Sequence, residues 1–139
     1  MESEDRRTQL EEQLKEIGVT YDVDRDGDFA VTRGNSITFV RPLEHDGGTL
    51  VRIWAITNVN LTLTDELTRF LLTENASVGF GGFEADESGK VAFSHTLLGG
   101  QDVLQRHELE AALAGVASAA DRYNDEIKVR FGGKLFGEP

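Results

Sequence analysis

A long apolar stripe runs through the last quarter of the chain and predicts its longest helix. Within residues 107–130, six side chains recur at spacings of 4, 3, 4, 3 and 4: Leu109, Leu113, Val116, Ala120, Tyr123 and Ile127. This period places all six on one face of an α-helix. The pair Gly132-Gly133 follows the stripe and ends the predicted helix.

A β-hairpin is predicted immediately before that helix. Two short apolar runs, residues 78–85 and 90–97, flank the turn sequence Asp86-Glu87-Ser88-Gly89, which is typical of two strands joined by a tight turn. Further upstream, Thr64 is a good N-cap for a second helix, because Asp65 and Glu66 follow it in the first turn.

Turn signals divide the first half of the chain into one helix and several strands. Residues 4–17 form an amphipathic helix that ends at Gly18, and Pro42 is expected to close the strand that contains it. Strands are predicted at residues 29–33, 36–43 and 50–58, separated by turns at 34–35 and 47–48, with a further strand possible at 19–23 before the turn 25–28. The order is α-β-β-β-α-β-β-α, which indicates an α+β fold with an antiparallel β-sheet and flanking helices. We expect one domain over residues 1–139, with loose ends at about 1–4 and 133–139.

The strand at residues 50–58 is apolar on both faces. One side carries Val51, Ile53 and Ala55, and the other carries Leu50, Trp54 and Ile56, joined by Arg52. The strand is therefore near the centre of the sheet, or its second face meets a partner. Three helices offer about one apolar stripe each, so we predict that one face is open to solvent in the monomer or closed by a second chain.

Composition excludes several classes of function. The formal net charge is −11, from 25 acidic and 14 basic residues, which disfavours binding to nucleic acid and to anionic membranes. The chain has no Cys, so thiolate catalysis and thiolate metal sites are excluded. The polar start MESEDRRTQLEE is unlike a signal peptide, and no window is apolar enough to span a membrane. These features predict a cytoplasmic protein.

The segment 22–29 (DVDRDGDF) resembles the beginning of a calcium-binding loop. Calcium requires a bidentate carboxylate at the twelfth position of such a loop, where this chain has Arg33. The following residues also have the character of a strand rather than a helix. We therefore predict an acidic hairpin turn and no metal site.

No other motif supplies the groups that catalysis needs. The glycine-rich run 79–84 follows a helix and precedes a strand, the reverse of a dinucleotide loop, and its glycines indicate a bulge or a close backbone approach. His45, His95 and His107 lack metal-ligand spacing, and no G-x-S-x-G sequence is present. The sequence predicts no catalytic residues and no cofactor.

A stripe of small residues borders the apolar face of the last helix. Ala112, Gly115 and Ala119 would let a sheet or another helix approach closely. Packing within the chain and contact between two copies both remain open, and the first is favoured.

Several segments together resemble the YbjN-like proteins, which are similar in fold to type III secretion chaperones (the TY-chaperone type). They are residues 21–29 (YDVDRDGDF), the helix end at 74–75, residues 78–83 (VGFGGF), residues 89–95 (GKVAFSH) and residues 120–133 (ADRYNDEIKVRFGG). The resemblance implies an antiparallel sheet with flanking helices, often as a homodimer. It also implies a role in client binding or regulation, without catalysis. Some members of the family are labelled sensory transduction regulators.

Our first hypothesis is a non-catalytic module that binds a protein or peptide client, acting as a homodimer. Its contact surface would use apolar residues left over after the core is filled: Trp54, Ile56, Leu72, Phe80 and Phe83. The alternatives are a regulatory or scaffolding subunit with one fixed partner, and a small enzyme or ligand-binding domain.

Overall fold

The computed structural model describes residues 3–34, 36–45, 48–100 and 106–139. These segments contain three helices and seven strands. In chain order they are α1 (Ser3–Ile17), β1 (Thr20–Val23), β2 (Phe29–Arg33), β3 (Ser36–His45), β4 (Gly48–Val59), α2 (Asp65–Ser77), β5 (Gly82–Ala85), β6 (Val91–Gly100), α3 (Arg106–Phe131) and β7 (Lys134–Leu135).

All seven strands belong to one antiparallel sheet. Six of them lie in the order β1-β2-β3-β4-β6-β5, and β7 pairs with the end of β4. The prediction of an α+β fold with this order of elements is confirmed, and β1 occupies the possible strand near residues 19–23. β4 lies at the centre because β3 and β6 pair with it on its two sides.

The register shows which strand residues share a face. Phe39 of β3 lies opposite Trp54 of β4, and the next pair along is Val40 with Ile53. Since side chains alternate along a strand, these two pairs point to opposite faces of the sheet. Val40 and Ile53 are fully buried, whereas Phe39 and Trp54 are half-buried.

All three helices contribute to a core on the Ile53 face. The apolar stripe of α3 is buried as predicted, and it packs against β4 and β6 together with residues of the two shorter helices. One cluster unites these side chains: Leu10 and Leu14 of α1, Leu67, Phe70 and Leu71 of α2, the six stripe residues of α3, and Phe29, Val40, Val51, Ile53, Ala55, Val91 and Phe93 of the sheet. The apolar residues of one sheet face are therefore covered by helices.

Local signals that set the helix ends act as predicted. The backbone N–H of Leu67 donates a hydrogen bond to the hydroxyl of Thr64 over 3.1 Å, which caps the start of α2. Gly18, with φ of 87°, follows α1 in a left-handed conformation. Each of the two predicted turns at residues 34–35 and 47–48 includes a residue outside the described part of the chain.

The prediction that Pro42 closes its strand is wrong. β3 continues to His45, and Pro42 lies opposite Val51 in the ladder with β4. The ladder between β2 and β3 ends at the pair Phe29 and Val40. Pro42 thus lies where β3 is an edge strand, a position at which the missing N–H of proline is tolerated.

The first strand of the predicted hairpin is shorter than expected. Residues 78–81 are not extended strand, and β5 begins at Gly82. Gly81 has φ of 65°, and a Cβ there would lie 2.5 Å from the carbonyl oxygen of Ser94. The predicted close backbone approach within this glycine-rich run therefore occurs at Gly81, where only glycine fits without displacement.

The packing of α3 predicts a large cost for truncating its stripe. Leu113 is 3% exposed, so Leu113→Ala should lower the free energy of unfolding by about 2–5 kcal/mol. Urea denaturation measures the change. Val129, on the same helix and 84% exposed, supplies the matched control, because Val129→Ala should change it by less than about 0.5 kcal/mol. Equal effects of the two substitutions would contradict the assignment of this stripe to the core.

Candidate functional site

The side of the sheet away from the core cluster forms a surface that we call the open face. Apart from Ala92, which is opposite Ile56 and buried, its residues on β3, β4 and β6 are half-buried or exposed and point to the same side of the sheet as Trp54. They are Ile37, Phe39, Arg41 and Leu43 of β3, Leu50, Arg52, Trp54 and Ile56 of β4, and Ser94, Thr96 and Leu98 of β6. Among the described residues, the buried side chains of the three helices, with the exception of Ala117, belong to the cluster on the opposite side.

An aromatic pair occupies the centre of the open face. The rings of Phe39 and Trp54 stack with their centroids 5.4 Å apart. The guanidinium of Arg52 lies 4.8 Å from the Trp54 ring centroid, and that of Arg41 lies 5.3 Å away. Both distances fall within the range of cation–π attraction. Trp54 therefore packs against an aromatic ring and two guanidiniums while it stays partly exposed.

Both arginines of this face are paired with carboxylates. The Nε and Nη2 atoms of Arg41 donate to the two carboxylate oxygens of Asp28 at 2.5 and 2.8 Å, and Arg52 pairs with Glu84. The hydrogen bond to the Asp28 carboxylate raises the pKa of the Arg41 guanidinium above its ordinary value. The centre of the open face thus carries little net charge, although the whole chain carries −11.

The structure brings two of the five predicted contact residues together. Trp54 and Ile56 lie on the open face, separated by one residue of β4. Leu72 lies on α2 and is 66% exposed, away from the buried residues of that helix. Phe83 is only 8% exposed and makes edge contacts with two aromatic rings of the core. Phe83 therefore belongs to the core and not to the open face.

Phe80 lies on the helix side of the sheet. Its ring stacks on His95 with centroids 4.0 Å apart, and His95 is opposite Ile53 in the ladder. A Cβ on Gly115 of α3 would lie 2.8 Å from the Phe80 ring. The small residue at 115 thus lets α3 approach this ring, which agrees with packing of the small-residue stripe within the chain.

Sequence reasoning did not single out Phe39 and Arg41 as site residues. Each is one residue in an alternating strand, and nothing in its own neighbourhood along the chain marks it. The signal lies in the register, because Phe39 must be aligned with Trp54 before the aromatic pair is recognised. Leu98, which is 79% exposed, likewise joins this face through its pairing with Leu50.

The pKa of His95 should respond to the ring that covers it. Burial lowers this pKa below the ordinary value of 6.5. The unfolded chain therefore binds the proton more readily, so this contribution to stability is complete above pH 6.5 and declines as the pH falls toward the folded pKa. NMR titration of the His95 ring should give a midpoint below 6.5, and Phe80→Ala should raise it. A midpoint unchanged by Phe80→Ala would contradict this cause.

The three aspartates of the acidic turn converge, as a calcium loop would require. Carboxylate oxygens of Asp24, Asp26 and Asp28 lie within 4.8 Å of one another. Their bonding, however, is directed within the chain: Asp24 Oδ1 accepts the backbone N–H groups of Asp26 and Asp28 at 2.9 Å, and Arg41 holds both oxygens of Asp28. Two of the three carboxylates thus already have partners.

The absence of a metal requirement stays a prediction that calcium titration can test. We expect no saturable rise in the thermal unfolding midpoint. Native-state binding would stabilise by about 2.7 kcal/mol at a hundredfold excess over the dissociation constant. A saturable rise that disappears in Asp24→Ala would show that the turn is a calcium site despite Arg33.

The protein is thus an antiparallel sheet that helices cover on one side and that presents apolar side chains on the other. A family model matches residues 4–139, and the chain belongs to that family, TY-Chap1, described as the T3SS (YopN, CesT) and YbjN peptide-binding chaperone 1. No match was found among the curated proteins compared by sequence. The resemblance to YbjN-like proteins and secretion chaperones is thereby confirmed.

Solved structures share the fold at low sequence identity. The ExsC–ExsE complex aligns with a TM-score of 0.65 and 20% identity, covering 88% of this chain and 93% of that one. YbjN from E. coli aligns at 0.66 and 11%, covering 84% and 89%. The HopA1–SchA chaperone–effector complex aligns at 0.62 and 10%, covering 86% and 93%. Of the helices described in this chain, none is long and apolar enough to cross a membrane.

Proposed function

We propose that this protein is a non-catalytic, chaperone-like module that holds an extended segment of a client protein on its open face. One observation carries the proposal: the aromatic pair Phe39–Trp54 lies at the centre of a sheet face that has no described helix over it. The family to which the chain belongs is described as peptide-binding, and the ExsC–ExsE and HopA1–SchA structures are complexes of two proteins.

The composition of the open face suits a protein client. Aromatic and arginine side chains contribute most to the energy of protein interfaces, because they combine large contact area with directional bonding. Here Trp54 is flanked by Phe39 and by two arginines at cation–π distance. Ile56 and the exposed Leu98 extend the apolar area toward the edges of the face. A client segment that supplies apolar side chains would cover this area and release water from it.

The charge distribution favours a protein partner over nucleic acid or an anionic membrane. A chain with 25 acidic and 14 basic residues repels phosphate groups. On the open face Arg41 and Arg52 are paired with carboxylates, so no free basic patch is offered there. The same local neutrality would let a second copy of the chain approach on this face, which is how a homodimer would form. We place the protein in the cytoplasm and assign it no cofactor.

A regulatory or scaffolding subunit with one fixed partner is the second candidate. It would bind its partner on the same face as a chaperone-like module would, but it would accept one partner instead of several clients. Leu72, exposed on α2, offers such a partner a second contact point away from the open face. Affinity purification from cells, followed by mass spectrometry, separates the two candidates, because a chaperone-like module captures several clients and a fixed subunit captures one.

The proposal predicts that Trp54→Ala weakens client capture more than it lowers stability. The probe is a fluorescently labelled, reduced and carboxymethylated model protein that cannot refold. We expect at least a tenfold increase in its dissociation constant by anisotropy, about 1.4 kcal/mol. The free energy of unfolding should fall by less than this, since Trp54 is not enclosed by the core.

Leu72→Ala is the matched control for that experiment. Leu72 is apolar and 66% exposed but lies outside the open face, so its substitution should leave probe binding within about twofold. If Trp54→Ala keeps the wild-type affinity for the probe and Leu72→Ala loses it, the binding surface lies on α2 and the proposal is contradicted.

A further inference from the structure

Residues 132–139 fold back onto the sheet after α3, and we call them the strap. The backbone N–H of Gly132 donates to the carbonyl of Lys128, in the last turn of α3, over 2.9 Å. β7 then pairs with the last two residues of β4, and the backbone N–H of Phe136 donates to the carbonyl of Thr57 over 3.1 Å. Residues 133–139, expected to be loose, therefore include a strand of the central sheet.

The strap also reaches the open face. Phe136 packs edge-on against Phe39 with ring centroids 6.1 Å apart, and Phe39 stacks on Trp54. Phe136 remains 38% exposed. The strap thus combines an extended backbone in the sheet with one aromatic side chain against the aromatic pair. This is the chemistry that a client segment would need to bind at the same place.

A groove beside the strap shows that the position beside β4 is only partly filled. The described pairing of β3 with β4 ends at Phe39 and Trp54, and pairing with the strap begins at Asn58. At this interruption lies a groove of about 890 Å³, lined among others by Ile37, Ile56 and Phe136. Because Ile37 and Ile56 also belong to the open face, the groove continues that surface toward α3.

We propose that the strap is an internal substitute for a client segment and that an extended client peptide displaces it. The displaced position is the edge of β4 at Thr57–Val59, and the client would place an aromatic side chain against Phe39 where Phe136 now lies. This inference rests on the proposed function, and it adds a regulatory step. The free protein is partly closed at this end of the open face, and binding requires the strap to open.

The contacts that hold the strap on β4 are few and weak, so the strap can detach locally. Its ladder with β4 has two residue pairs. Its ion pair, between Lys128 Nζ and the Glu138 carboxylate at 2.9 and 3.0 Å, is exposed to solvent. Short ladders and exposed ion pairs belong to the low-stability end of local unfolding. The strap can therefore open without unfolding the core.

Gly133 is the residue at which the strap can be loosened selectively. Its φ is 73°, and a Cβ there would lie 2.6 Å from the carbonyl oxygen of Val59 and 2.8 Å from a methyl carbon of Leu61. Gly137 has φ of 88° with no atom within 4 Å of such a Cβ. Alanine at either position carries a similar backbone strain, but only Gly133→Ala pushes the strap away from β4.

The test uses these two variants in the full chain, together with Phe136→Ala, and two probes. The first probe is a labelled synthetic peptide of the strap sequence GGKLFGEP, and the second is the unfolded carboxymethylated protein. Hydrogen exchange at Val59 and its neighbours should be faster in Gly133→Ala than in Gly137→Ala. The strap peptide should bind Gly133→Ala and Phe136→Ala at least tenfold more tightly than wild type. The same peptide with its phenylalanine replaced by alanine should not bind.

Four results would overturn the inference or separate it from the proposed function. Equal peptide affinity for wild type and both loosened variants would show that the strap does not compete. Faster exchange with no gain for either probe would make the strap only a cover for the strand edge. A concentration-dependent dimer of Gly133→Ala in sedimentation, with no peptide binding, would assign the position to the strap of a second copy. If Trp54→Ala leaves the affinity for the unfolded probe unchanged while the strap peptide behaves as expected, the proposed function is overturned and the inference about the strap is not.

Discussion

The packing of α3 across β4 and β6 determines which face of the sheet stays uncovered. This helix of 26 residues is about 39 Å long at 1.5 Å per residue, enough to cross the sheet, and its single apolar stripe commits it to one side. The buried apolar residues of α1 and α2 belong to the same cluster. Once three helices share one side, the alternation of β4 leaves Trp54 and Ile56 on the other. The uncovered face is thus a consequence of the same packing that stabilises the core.

The open face is an apolar surface within a strongly acidic chain. Its arginines are paired with Asp28 and Glu84, so the face avoids the electrostatic repulsion that the rest of the surface would impose on an acidic partner. Phe39 and the two guanidiniums pack against Trp54, and a side chain that already has such contacts loses less conformational freedom on binding. The strap covers one end of this face and leaves its centre accessible. Geometry, charge and rigidity therefore all favour capture of an extended apolar segment.

Patterns within one helix or strand can be predicted from the sequence, whereas contacts between distant strands cannot. The α3 stripe and the Thr64 cap depend on spacing along the chain, and the structure has both. The two-sided apolar pattern of β4 indicated either a central strand or a second face that meets a partner, and the strand is central. Pro42 was misread because its tolerance depends on where β2 stops pairing with β3. The aromatic pair and the strap depend on registers between strands that are distant in sequence, and a short segment such as residues 134–136 carries too little pattern to predict one.

Quenching of tryptophan emission by acrylamide shows whether the open face receives a client, because Trp54 is the one tryptophan of the chain and lies at the centre of that face. The measurement is made at a concentration where sedimentation shows monomer, before and after addition of a tryptophan-free unfolded polypeptide. We expect acrylamide to quench Trp54 in the free monomer and saturating polypeptide to protect it. A Trp54 shielded in the free monomer, or quenched equally with the polypeptide bound, would contradict an open face that receives the client.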